Sequence, residues 1–193
     1  ARAEAAAPPP RHTGRFWLLA AAFAAITLSS GVVMSHLFPI FAALGVAEGR
    51  GLLAASAIGP MQVAGRVALM AGAGRPGAIA TAASGAGAIA LAALCLLAAG
   101  GAPPLLAGFV LLFGMGYGVA GIMRPVVTRQ VLGGAGFGAT YGALVRPSLI
   151  AFAAAPALGA LVAGQGGYGF ALALCAALAL GGAALLWMAG RVR

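Results

Sequence analysis

Long apolar stretches separated by short clusters of glycine, proline and arginine recur along this chain, each about the length that crosses a bilayer as a helix. Six spans are predicted, at about 16–44, 51–72, 78–99, 104–123, 138–164 and 168–190. The punctuation between them is specific. Pro39 should bend or end the first span. Gly74-Arg75-Pro76-Gly77 reads as a tight turn. Gly100-Gly101-Ala102-Pro103-Pro104 breaks the chain and opens a new helix on proline, and Gln165-Gly166-Gly167 turns into the last span. No run of about ten residues alternates in polarity, which excludes a transmembrane barrel. The predicted fold class is an all-α membrane protein with six transmembrane helices.

Polar residues inside these spans are few and therefore informative. The second span holds Gln62 and Arg66, four residues apart and so on one helical face, just past Pro60, which removes a backbone donor. Arg66 lies ~24 Å along that span, in the half nearer Arg75. Arg146, followed by Pro147, lies ~12 Å into the fifth span. Such side chains either snorkel toward headgroups and bond neighbouring helices, or face a wet cavity where a cation could meet an anionic solute. Gln62 can equally be helix–helix glue or a solute contact. Tyr117 sits among Gly114, Gly116, Gly118 and Gly121, where its hydroxyl can pack or reach a cavity. Gly114 and Gly118 form a GxxxG pair that lets a neighbouring backbone approach closely. His36 is the one histidine within a span. Histidine is the side chain that exchanges protons near neutrality, and no carboxylate falls within the six spans. Proton coupling would thus need His36 or a carboxylate from outside this chain.

Composition narrows the picture further. Of 193 residues 63% are hydrophobic and only 7% charged, with a mean hydropathy of +1.07, whereas soluble domains are about 25% charged. A water-soluble globule is excluded. The formal charge of +9 comes from arginine alone, and the arginines fall at the ends of apolar runs, not on a basic face with interleaved aromatics. Nucleic acid is therefore not an expected partner. With the amino-terminal arm inside, Arg2, Arg11, Arg15, Arg75, Arg124, Arg129, Arg191 and Arg193 lie at inner ends and only Arg50 lies outside. That asymmetry predicts both termini in the cytoplasm of a multi-pass inner-membrane protein. The bias toward Ala, Gly and Arg, with no Lys, Asn or Asp, suggests a GC-rich bacterial coding sequence.

Enzyme chemistry finds no footing. Ser84-Gly85 matches part of the Gly-x-Ser-Gly motif of rhomboid proteases, but position 82 is alanine and no later span carries a histidine base. Cys95 and Cys175 lie in apolar spans without a partner at metal spacing, and read as small buried hydrophobes. Neither a metal nor a cofactor is expected. Residues 1–15 form a Pro- and Arg-bearing arm with a stiff Pro8-Pro9-Pro10 piece, more like an interhelical linker than a leader.

The run Gly59-Pro60-Met61-Gln62-Val63-Ala64-Gly65-Arg66, leading to Gly74-Arg75, resembles the second helix and following loop of the carboxy-terminal half of a major facilitator superfamily transporter. The first span, ending His36-Leu37-Phe38-Pro39, is similar to the helix opening that half, and Ala155-Pro156-Ala157-Leu158-Gly159 to its penultimate helix. The resemblance implies one bundle of two inverted three-helix repeats, an upstream six-helix half as partner, and alternating-access transport of a small solute. It also implies that the first, second, fourth and fifth spans line the cavity, with His36, Gln62, Arg66, Tyr117 and Arg146 as candidate solute contacts. Gly65, Arg66 and Arg75 would belong to the gating loop. The apolar third and last spans would face lipid. The arginines tilt the expected solute toward an anion. The alternative is a stand-alone six-span scaffold or assembly protein without transport.

Overall fold

A computed structural model describes residues 13–72, 77–100 and 102–191. Among them are six helices and no strand: α1 (Gly14–Ser35), α2 (Leu37–Ala43), α3 (Glu48–Ala71), α4 (Ala78–Ala99), α5 (Pro103–Leu132) and α6 (Phe137–Arg191). All but α2 are long and apolar enough to cross a membrane.

Local chemistry accounts for most of the boundaries. Thr13 caps α1 by accepting from the Phe16 N–H. Pro39 cannot donate to the Ser35 carbonyl, and the expected bend falls there, at His36 between α1 and α2. Glu48, which falls between the first two predicted spans, belongs to the first turn of α3, where its carboxylate complements the helix dipole. Pro60 is carried inside a continuous α3. The residues 78–99 are helical as predicted, between Gly77 and a left-handed Gly100.

Two elements run longer than the sequence suggests. The expected fourth span, 104–123, continues through Arg124-Pro125 to Leu132, nine residues past its predicted end. In lipid, backbone groups freed from a helix have no water to bond, so a helix tolerates a proline sooner than it unwinds. The other is α6, 55 residues long and interrupted only by Gly167, whose φ of 74° and ψ of 175° are not helical. This divides α6 into arms 137–166 and 168–191, close to the predicted fifth and sixth spans.

Contacts give the direction of each rod. Along α1, Gly31 and His36 meet Ala155 and Gly159 in turn, so the first arm of α6 is parallel to α1. Ser29 donates to the Cys175 carbonyl at 2.8 Å and Ile26 lies against Gly182, so the second arm is antiparallel. Helix α4 runs against the second arm, with Leu97 near Gly169 and Ile79 near Gly190. Helix α5 is antiparallel to α4 (Gly85 by Gly116, Cys95 by Gly108) and parallel to α3. The rods thus alternate in direction: α1 up, α3 down, α4 up, α5 down, and the two arms of α6 up and down.

The α3–α5 crossing is the tightest. A β-carbon on Gly65 would stand 2.6 Å from the Met115 carbonyl oxygen, and one on Gly118 would collide with the Gln62 backbone. Gly114 meets Met61 and the Ile58 carbonyl. The GxxxG pair therefore admits α3, as small residues do between membrane helices. The core is otherwise built mainly of alanine, leucine, isoleucine, valine and phenylalanine, most of them from α1, α4, α5 and both arms of α6. Helix α4 is among the most buried of the long helices, and α3 is the least. Alanine and glycine let α4 sink between its neighbours, leaving Leu91, Leu94 and Leu97 outward.

Candidate functional site

A cavity of about 310 Å³ opens where four rods converge. Helix α1 contributes Ile26, Thr27 and Ser30, α3 contributes Arg66, and α5 contributes Tyr117, Ala120, Gly121 and Arg124. The first arm of α6 adds Tyr141, Ser148, Leu149 and Phe152. Its lining includes no residue of α4 or of the second arm.

The two tyrosines are held by rings of their own helices, and Arg124 is held by α1. Tyr117 stacks on Phe113 with ring centroids 5.9 Å apart and planes 5° from parallel. Phe113 in turn lies on Phe109, 5.4 Å away, and Phe109 meets Phe41 of α2 edge-on at 6.1 Å. This ladder at four-residue spacing on α5 fixes the tyrosine ring at the cavity wall. On the first arm, Tyr141 stacks on Phe137 at 5.5 Å. Arg124, two turns along α5 from Tyr117, donates through Nη2 to Thr27 Oγ1 at 2.8 Å. Its guanidinium carbon lies 5.6 Å from the Phe23 ring centroid, a cation–π contact.

Not every donor is used. Ser30 Oγ donates to its own helix, at the Ile26 carbonyl. Ser148 Oγ and Arg124 Nε are buried and have no hydrogen-bond partner among the described residues. Membrane interiors penalise such groups, which makes the wall they share chemically pointed.

Of the residues singled out in the sequence, Arg66 and Tyr117 meet at this cavity. His36, Gln62 and Arg146 are not among its lining. His36 lies at the α1–α2 break, its Nε2 2.9 Å from the Pro156 carbonyl and its Nδ1 3.3 Å from the Tyr168 hydroxyl. It bridges both arms of α6. Gln62 has its backbone against Gly118, at the helix crossing. Arg146 is exposed on the first arm. Gly65 is helical and serves the α3–α5 contact, and Arg66 also lies within α3, not in a loop. Arg75 lies outside the described residues.

Sequence reasoning did not select Thr27, Arg124, Tyr141 or Ser148. The usable signal was periodic: Tyr117 and Arg124, like Tyr141 and Ser148, are seven residues apart and share a helical face. No group of histidine, cysteine or acidic residues suited to a metal occurs among the described residues. Cys175 is buried and Cys95 half-buried, both as free thiols. No protein-family model matches the chain, and no curated protein sequence is significantly similar to it.

Proposed function

We propose that the protein is a transporter that moves a small solute, anionic by preference, across the membrane by alternating access. The chain would supply one six-helix bundle of the major facilitator type, in the inner membrane with both termini cytoplasmic. The observation that carries this reading is the cavity: a pocket of small-molecule size, walled by two arginines, two tyrosines and three hydroxyl residues inside an otherwise apolar bundle.

Two further features support it. The inverted-repeat scheme pairs α1 with α5, α3 with the first arm of α6, and α4 with the second arm. Exchanging these partners converts α1 against both arms into α5 against α3 and α4, and leaves the α4–second arm contact in place. Those are the principal contacts observed. The low burial of α3 and its exposed Leu52, Leu53, Val63, Val67 and Met70 fit a face covered by lipid or by a second bundle. As a carrier the protein would leave the covalent structure of its solute unchanged and need no cofactor.

The test is flux. The full-length protein in proteoliposomes should accumulate or exchange small anions, and Arg66→Ala should reduce that flux at least several-fold. Absence of flux for every small solute tried, with the protein folded, would favour the scaffold alternative.

A further inference from the structure

We infer that the cavity takes the carboxylate of a small aromatic acid, with Arg124 and Ser148 as the groups that receive its charge. This rests on the carrier reading and names the class of solute such a carrier would move.

The argument begins from what the wall lacks. Ser148 is 1% exposed, lines the cavity and has no hydrogen-bond partner. Arg124, another residue of the lining, spends Nη2 on Thr27, and its Nε–H, like Ser148 Oγ, is buried without a partner among the described residues. Arg66 adds a second guanidinium to the lining. A guanidinium only donates, so the missing component is an acceptor. Among the described residues the one side-chain carboxylate is Glu48, in the first turn of α3 and outside the cavity lining. An acceptor brought by a ligand would satisfy these donors once their side chains turn toward the cavity, and two like charges in the wall select an anion over a cation.

Shape then selects among anions. Apart from Ser30, whose hydroxyl is spent on its own helix, the remaining lining is aromatic or apolar, with Tyr117, Tyr141, Phe152, Leu149 and Ile26 offering surfaces that solvate a ring better than a second charged group. A planar carboxylate matches a guanidinium edge, and a hydroxyl can serve its second oxygen. The ligand so defined has one charged end and one aromatic body.

The experiment uses the full-length protein in an uncharged detergent and calorimetric titration with benzoate, phenylacetate and their neutral amides. The acids should bind and the amides should bind about tenfold or more weakly. Arg124→Gln should weaken acid binding by about tenfold to a hundredfold. Because Arg124 also holds Thr27, its loss can loosen the fold. Ser148→Ala removes a hydroxyl without a protein partner, and should weaken the acids about three- to tenfold with the melting temperature kept. Equal binding of acid and amide would overturn the proposal, as would acid binding indifferent to both substitutions. So would Arg124-dependent binding of phosphatidylglycerol with no response to either acid, since the site would then hold a lipid phosphate. Uptake of a cationic or neutral solute unaffected by benzoate would sink this inference and leave the carrier standing. Acid binding with the expected dependence but no uptake would uphold the site and remove the carrier.

Discussion

Arg124 of α5 donates to Thr27 of α1 at 2.8 Å, a side-chain bond between two rods far apart in the chain. It lies beside the cavity and over the Phe23 ring, so one side chain both joins the helices and charges the wall. Thr27→Val keeps the shape and removes the acceptor. The expected loss is about 0.5–2 kcal/mol, the range for polar contacts between membrane helices. Thermal unfolding in detergent measures it. In a double-mutant cycle with Arg124→Gln the two losses should be clearly less than additive. Full additivity would mean that the bond contributes nothing.

Gly118→Ala should separate α3 from α5. Its methyl group would meet the Gln62 backbone, which cannot rotate away as a side chain can. A loss of about 1–3 kcal/mol is expected, as for other overpacked sites. Gly142→Ala on the first arm of α6, where nothing lies within 4 Å, is the comparison and should be neutral or mildly stabilising. Similar melting temperatures for the two variants would refute the crossing described here.

The topology of α6 is testable by labelling. With Cys95 and Cys175 replaced by alanine, single cysteines at Ala135 and Arg191 should react from the same side of sealed vesicles, and one at Gln165 from the other. A helix crossing once would place 135 and 191 on opposite sides. Gly167→Ala should also destabilise, by about 1–2 kcal/mol, because its φ of 74° suits glycine and strains any residue with a β-carbon.

His36→Gln tests whether the histidine is structural. Its ring nitrogens reach the Pro156 carbonyl and the Tyr168 hydroxyl, and it does not line the cavity. The expected result is a lower melting temperature with solute flux within a few-fold of the parent protein. Tyr168→Phe, which removes only the longer contact, should lower it less. Abolished flux with an unchanged melting temperature would restore His36 to the solute path.

Helix positions were largely legible because membrane helices announce themselves by length and apolarity, and glycine–proline clusters mark their ends. Helix α4 matches its predicted bounds for that reason. Arg124 was illegible as a wall residue because Arg-Pro reads as a boundary under the costs that hold in water. In lipid, the unsatisfied backbone outweighs the proline defect, and α5 continues. Ser148 was overlooked in favour of Arg146, a larger and costlier residue. Two positions on a helix differ by about 200°, so a cavity that sees one cannot see the other. Arg66 and Tyr117 were found because charge and hydroxyl coincide there with the converging faces of α3 and α5.

The reversal at Gly167 leaves no slack in the chain. A hairpin joined by one residue and stapled by an imidazole to the rod beside it transmits tilt as a rigid lever does: the arm carrying Ser148 cannot swing without dragging the arm that carries Cys175. The same economy makes this corner a poor place for an inserted tag. Any rearrangement that opened or closed the cavity would need its pivot elsewhere along the molecule.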